Sequence, residues 1–232
     1  MQLQFDSPVD GLHPFRLTAL DRLLVERIAN ARTELAHKVQ TLSDGQSATW
    51  GFFPELHPEE ADYPACVALK SIFDQQFLQL APLQPFALKL AFIRLATSEP
   101  QSSFGGLHID ASAGIDHLPP KERPAEHDGI LRILINLYDE APRKLAYSVE
   151  NIDSLRQQGV SIPADHYEIV KLPAGMPLQH YLVPAAEPDC LHGVMFESSS
   201  VLHAGQTNQK GHFLLSYGGY ANTAELRRSL LA

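Results

Sequence analysis

Two short stretches carry the residues best able to do chemistry. Gly105-Gly106-Leu107-His108-Ile109-Asp110 offers an imidazole and a carboxylate two residues apart, and Val201-Leu202-His203-Ala204-Gly205 offers a second imidazole far downstream. Two imidazoles and one carboxylate form a set that grips a metal ion on one side and leaves three cis positions open, as non-haem Fe(II) requires. Open positions on a redox metal let O2 and a co-substrate bind side by side. In an extended segment, residues i and i+2 point to the same face, so His108 and Asp110 can share one ion. The two glycines before them allow close approach of the backbone to a neighbouring strand or ligand.

The pairing of His with a carboxylate two residues on is weak evidence by itself. It occurs three times among 11 histidines and 27 acidic residues: His57-Pro58-Glu59, His108-Ile109-Asp110 and His166-Tyr167-Glu168. His57 precedes a proline in a loop-like stretch, which leaves its geometry poorly set. His166 opens an expected strand and is a competitor. His108 is preferred because it follows an expected strand and a Gly-Gly turn. A lone histidine in an apolar strand is more often a hydrogen-bonded core or surface residue than a ligand. The assignment therefore rests on the ordered set of His108, Asp110 and His203.

Holding these residues in place requires strands. Short apolar runs bounded by Gly, Pro, Asp and Ser occupy 88–97, 130–138, 144–149, 167–172, 193–197 and 213–217. Their spacing predicts an antiparallel sandwich or partly open barrel rather than alternating βαβ units. Ahead of them, Leu20, Leu23, Leu24, Ile28, Ala31, Leu35 and Val39 predict an amphipathic helix over 17–39. A second helix is expected over 63–80, burying Val67, Leu69, Ile72, Phe73 and Phe77. A short helix is expected over 152–158, capped by Asn151 or Asp153, and a C-terminal one over 222–231, capped by Asn222 or Thr223. The fold class expected is mainly β with flanking α-helices, as a single domain over 1–232: N-terminal helices within 17–80, a β core over 88–220 and the C-terminal helix. The irregular stretch 112–128, rich in Pro, His and acidic residues, follows the proposed ligands directly. It reads either as a substrate loop or as a solvated insertion.

Bulk properties narrow the function classes. The chain has 232 residues, 44% of them hydrophobic, enough for one sizeable core. Its 18 basic against 27 acidic residues give a net charge of -9, with no basic run, so nucleic acid is not an expected partner. No run of apolar residues is long enough for a membrane span, and the N-terminal residues lack a signal-peptide pattern, so a cytoplasmic location is expected. Cys66 and Cys190 fit no metal-binding spacing and are expected as free thiols. No phosphate-binding glycine loop and no nucleophile elbow of the G-x-S-x-G type occurs.

A strand, then Gly106-Leu107-His108-Ile109-Asp110, then a distant His203-Ala204-Gly205, then an apolar strand over 212–218, resembles the Fe(II)/2-oxoglutarate-dependent dioxygenases. The order is similar to that of their prolyl-hydroxylase-like and phytanoyl-type branches. Phe92-Ile93-Arg94-Leu95 and Phe196-Glu197-Ser198 also resemble core strands of that superfamily. The resemblance covers 88–220. It implies a double-stranded β-helix core of jelly-roll or cupin-like form, with Fe(II) held by His108, Asp110 and His203 at one mouth. It further implies 2-oxoglutarate as co-substrate and O2 as oxidant. The small organic substrate would be hydroxylated, with release of succinate and CO2.

The co-substrate's distal carboxylate needs a cation, and the planar fork of Arg is the favoured group. In the resembled families a basic residue commonly stands on the last core strand two positions before a serine. Here Ser216 is present, but Leu214 occupies the basic position. Arg132 is the first substitute. On its strand Leu131, Ile133, Ile135 and Leu137 share one face, and Arg132, Leu134, Asn136 and Tyr138 share the other. If the aliphatic face packs on the helices, Arg132, Asn136 and Tyr138 face the lumen; in the opposite orientation Arg132 is a surface residue. Lys210, His212 and, more distantly, Arg94 are further candidates. Two other readings stay open: a cupin-type isomerase or dioxygenase that uses the same ligands without 2-oxoglutarate, and a metal-free barrel that binds a small molecule or a partner protein.

Overall fold

The computed structural model describes residues 1–42, 49–52, 64–79, 87–96, 106–110, 129–137, 142–162, 170–173, 176–205 and 213–221. In chain order the elements are β1 (Gln2–Phe5), β2 (Leu12–Thr18), α1 (Arg22–Leu42), β3 (Thr49–Phe52), α2 (Pro64–Gln79), β4 (Ala87–Ala96) and β5 (Gly129–Asn136). There follow β6 (Arg143–Asn151), α3 (Ile152–Gln157), β7 (Gln179–Val183), β8 (Cys190–Glu197), β9 (Val201–Gly205) and β10 (Phe213–Ala221). The strands form two antiparallel sheets. The larger runs β1-β2-β8-β5-β10-β4-β3 and the smaller β7-β6-β9.

The alternation in β5 decides which way the larger sheet faces. Leu131, Ile133, Ile135 and Leu137 join Phe213, Leu215 and Tyr217 of β10 under Leu24, Ile28, Ala31 and Leu35 of α1 and Leu69 and Phe73 of α2. Every residue of this cluster is buried, and each fully buried aliphatic or aromatic contributes about 1.5–3 kcal/mol. The opposite face of the sheet is thereby turned inward. There Leu134, Val194 and Phe196 pack on Leu145, Tyr147 and Val183 of the smaller sheet. Behind the smaller sheet, Leu155 of α3 together with Val160 and Val170 covers Leu202 and Ile109.

β8 runs between β2 and β5, and one glycine allows their close approach. A Cβ on Gly193 would lie 2.6 Å from Phe15 Cε2 and 2.7 Å from the Leu134 carbonyl oxygen. Phe15 is the residue directly opposite Gly193 in the ladder, so its ring lies across the space a side chain would take.

The expected strands at 88–97, 130–138, 144–149, 193–197 and 213–217 correspond to β4, β5, β6, β8 and β10. The short helix is α3, and Asn151 is its cap: the side chain accepts a hydrogen bond from Ser154 N. Other expectations need correction. Leu17 lies in β2, and α1 starts only at Arg22, with Asp21 accepting from Leu24 N at 2.7 Å. Leu23, expected on the buried stripe, is 55% exposed. Among the described side chains of α2 the buried ones are Cys66, Leu69 and Phe73, Val67 faces outward, and Phe77 lies outside the described side chains. Strands β1, β2, β3, β7 and β9 were not expected; of the strand predicted over 167–172, residues 170–172 are irregular and 167–169 lie outside the described residues. The tail 222–231 and the stretch 112–128 lie outside the described residues. No helix among the described residues is long and apolar enough to cross a membrane.

Candidate metal centre

Backbone pairing places the two histidines. Residues 106–110 run antiparallel to β9, and His108 and His203 are direct partners. His108 N donates to the His203 carbonyl at 2.9 Å, and His203 N donates to the His108 carbonyl at 3.0 Å. One step further, Asp110 N donates to the Ser198 carbonyl at 2.9 Å. The imidazole centroids are 4.5 Å apart, and the edge of Phe196 packs on His203 with centroids at 4.9 Å.

Each imidazole is oriented by the carbonyl two residues before it. Nδ1 of His108 lies 2.8 Å from the Gly106 carbonyl oxygen, and Nδ1 of His203 lies 2.9 Å from that of Val201. A carbonyl can only accept, so each bond requires a proton on Nδ1 and leaves Nε2 with a lone pair. This is how a metal-binding imidazole is commonly fixed in tautomer and direction. One ligand atom from each of His108, Asp110 and His203 falls within 4.8 Å of the others, a set able to hold a metal ion.

Arg132 holds Asp110 through one oxygen. Arg132 donates to Asp110 Oδ2 from Nη2 at 2.6 Å and from Nε at 3.0 Å. Oδ1 is turned to the histidines and lies 3.8 Å from His108 Nε2. Burial works to raise the Asp110 pKa, but the Arg132 guanidinium, His203 and the Ser198 hydroxyl outweigh it and hold the group down at about 2. Burial pushes His203 down to about 4, against the opposing pull of Asp110. Near neutral pH the site therefore presents an ionised carboxylate and a neutral His203, the forms in which these groups bind metals.

These side chains open into a cavity of about 210 Å3 between the sheets. The larger sheet contributes Arg132, Leu134, Phe196 and Ser216, and the smaller contributes Arg143, Leu145, His203 and Gly205. Arg132 thus faces the lumen as the alternation of β5 allows, but two of its donors are engaged by Asp110. Asn136 shares that face without reaching the cavity wall; its Nδ2 donates to the Pro184 carbonyl at 2.9 Å. Ser216 Oγ and Asn136 Oδ1 are buried with no hydrogen-bond partner among the described residues. Leu214 is buried beside Asn136 in the β5–β10 ladder, an apolar residue where a cation was sought. Lys210, His212, His166, Glu168, His57 and Glu59 lie outside the described residues. Of Arg94 only the backbone is described, opposite Leu214 in the ladder.

Sequence reasoning missed Arg143. It stands at the first position of β6, just outside the apolar run that marked the strand. The signal was the alternation Arg143, Leu145, Tyr147, which puts the guanidinium on the same face as two inward side chains.

No protein-family model and no curated protein sequence matches the chain. Similar solved structures include the epimerase SnoN in complex with Fe3+, alpha ketoglutarate and nogalamycin RO, with a TM-score of 0.50 and 19% identity, covering 91% of this chain and 79% of SnoN. HygX from Streptomyces hygroscopicus, with nickel and 2-oxoglutarate bound, gives 0.48 and 16%, covering 92% and 83%. The Kdo hydroxylase KdoO, in complex with cobalt(II), gives 0.46 and 16%, covering 97% and 90%. At such identities a likeness is one of architecture, and this chain shares the fold of the Fe- and alpha-ketoglutarate-bound epimerase SnoN.

Proposed function

We propose that this chain is an Fe(II)- and 2-oxoglutarate-dependent oxygenase that hydroxylates a small organic substrate, folded as one domain on a double-stranded β-helix. The observation that carries this reading is the convergence of His108, Asp110 and His203 at the wall of one cavity between two antiparallel sheets. The donor set fits Fe(II): two imidazoles with Nε2 available and one carboxylate oxygen turned toward them, all from one side. When bound, iron and 2-oxoglutarate supply the oxidising chemistry, coupling O2 to oxidation of a C–H bond with release of CO2 and succinate.

The remaining work belongs to the protein. The Gly106 and Val201 carbonyls hold the two rings. Arg132 holds Asp110 Oδ2, so that Oδ1 keeps its direction. Leu134, Leu145 and Phe196 give the cavity apolar walls that exclude water. Arg132 and Arg143 stand on its described wall, and basic side chains there support an anionic co-substrate over the reading without 2-oxoglutarate.

Anaerobic titration with Mn(II) or Fe(II), followed by 2-oxoglutarate, tests the reading. The expected result is one metal ion per chain and thermal stabilisation by 2-oxoglutarate that requires the metal. Aerobic incubation with Fe(II) should then yield succinate. Metal binding without any response to 2-oxoglutarate would instead support a cupin-type enzyme, and absence of metal binding would support a binding barrel.

A further inference from the structure

We propose that Cys190, His192 and Glu187 form a metal site, separate from the His108–Asp110–His203 centre, that takes a thiophilic divalent ion of the Zn(II) type. The proposal is independent of the function argued above.

Register gathers the cluster. In β8, Cys190, His192, Val194 and Phe196 alternate onto the face turned toward the smaller sheet. Cys190 and His192 therefore point the same way at the start of the strand, whereas Phe196, four residues after His192, packs on His203. Four residues span about 13 Å of extended chain, so the two clusters do not share an ion. A tight turn through Pro188 and Asp189 brings Glu187 alongside: Glu187 N donates to the Cys190 carbonyl at 2.8 Å, and Cys190 N to that of Glu187 at 3.3 Å. The two cysteines of the chain fit no shared metal motif, but the partners of Cys190 are its own near neighbours.

The distances suit coordination. His192 Nε2 lies 3.7 Å from Cys190 Sγ and 3.3 Å from Glu187 Oε1. Two ligands on one tetrahedral Zn(II) stand about 3.4–3.6 Å apart, given Zn–S of about 2.3 Å and Zn–N or Zn–O of about 2.0–2.2 Å. Both separations from the imidazole are thus close to edges of a coordination tetrahedron. The third edge, sulfur to carboxylate, closes by rotation of the Glu187 side chain, which is 64% exposed. Sulfur, nitrogen and oxygen together suit Zn(II), whereas Mn(II) prefers oxygen. Binding releases the thiol proton to solvent.

The surroundings favour a cation. Burial pushes the Cys190 thiol up, and the charges of Glu187, Asp189 and Asp6 add to this against that of Arg16, itself paired with Asp6 at 3.0 Å. A metal-bound imidazole commonly donates its other N–H to an oxygen. Asn136 is the direct partner of His192 across the β5–β8 ladder, and its Oδ1 is buried with no partner among the described residues. That oxygen supplies the acceptor for His192 Nδ1–H.

Co(II), a spectroscopic stand-in for Zn(II), tests the site. The His108–Asp110–His203 set has no sulfur, so a thiolate-to-Co(II) charge-transfer band reports a cysteine ligand alone. The band should appear on titration with Co(II) and be displaced by Zn(II). It should persist in Cys66→Ala and vanish in Cys190→Ser. His192→Ala should weaken Co(II), read at this band, by about 10-fold or more, and Glu187→Gln should shift it in the same direction. Glu187 lies on an exposed turn, so its variant keeps the test usable if His192→Ala does not fold. His108→Ala should leave the band's affinity within about twofold. Absence of the band in the wild-type protein, its loss in Cys66→Ala, or an affinity unmoved by both His192→Ala and Glu187→Gln would overturn the assignment.

Discussion

His108 and His203 are cross-strand partners that exchange both backbone hydrogen bonds, and each ring is anchored to the carbonyl two residues before it. The near-identical anchoring means that the directions of the two Nε2 lone pairs are set by backbone geometry. Asp110 is added by the same segment, two residues along, and is locked by Arg132 from the facing sheet. Strand pairing thus fixes where the three side chains meet.

Backbone pairing that does not involve the His108 ring separates metal affinity from folding. His108→Ala should cost little stability, because its ring is partly exposed and its backbone bonds survive the change. Mn(II) affinity should fall by more than about 100-fold, since loss of even a group supporting a ligand costs ~10–100-fold. Calorimetric titration and a urea melt on the same variant check both halves. Undiminished Mn(II) binding would move attention to His166 and Glu168.

The depressed His203 and Asp110 values make the metal-free protein acid-sensitive in two successive windows. His203 falls from 6.5 to about 4, so as pH drops below 6.5 the unfolded chain takes up a proton that the folded one refuses. Stability is full above pH 6.5 and declines as pH falls toward 4, by on the order of 3 kcal/mol at most. Asp110 falls from 3.8 to about 2, so its contribution is present above pH 3.8 and is lost as pH drops through 2. Urea midpoints of the chelator-treated protein should fall between pH 7 and 4.5, and His203→Gln should flatten that fall. A wild-type curve as flat as the variant's would show that His203 is not held neutral by its surroundings.

What was legible in the sequence follows period and residue type. The face of β5 that carries Arg132 could be read because four aliphatics alternate with it, and the triad could be read because His108 and Asp110 are spaced two apart after paired glycines. The N-terminal strands were hidden for local reasons. Pro14 lies inside β2, an interior strand of the sheet, whereas proline normally argues for an edge or a loop. Asp10-Gly11, both with positive φ, makes the tight turn closed by the Val9–Leu12 pair and is a hairpin signal available in the sequence. β9 was obscured because it is short and follows the Ser198-Ser199-Ser200 turn. The carbonyls that orient the histidines are local, two residues back, but they depend on backbone conformation that residue type does not reveal. The pairing of Arg132 with Asp110 is a long-range consequence of register, which no local pattern encodes. Two-residue spacing gives a face but not the partner across it.

Gly193 should tolerate no side chain. Alanine there places a methyl group against the Phe15 ring and the Leu134 carbonyl oxygen. Overpacking of this kind costs about 1–3 kcal/mol. Thermal melts of Gly193→Ala, Phe15→Leu and the double variant check it. The double variant should recover part of the loss, because the ring is removed while the Leu134 backbone remains. Simple additivity would mean that Phe15 does not fill the space above the glycine.

Glu34 of α1 holds the start of α2 from outside. Its Oε2 accepts from Ala65 N and Cys66 N, both at 3.1 Å, where the first turn following Pro64 has no intrahelical acceptors. The same contact quiets the thiol of Cys66. Burial pushes the thiol pKa up strongly, and the neighbouring Glu34 charge and its hydrogen bond add to the effect. Cys66 is fully buried and forms no disulfide, so it should react with a thiol reagent only when α2 opens. Glu34→Ala removes the cap at a cost of ~1 kcal/mol and should raise the Cys66 labelling rate about fivefold at constant pH. Labelling is read by peptide mass against Cys190, which lies on β8 away from the cap and serves as the internal reference. An unchanged Cys66 rate would show that Glu34 does not limit the opening of the helix, and that packing of Leu69 and Phe73 alone sets it.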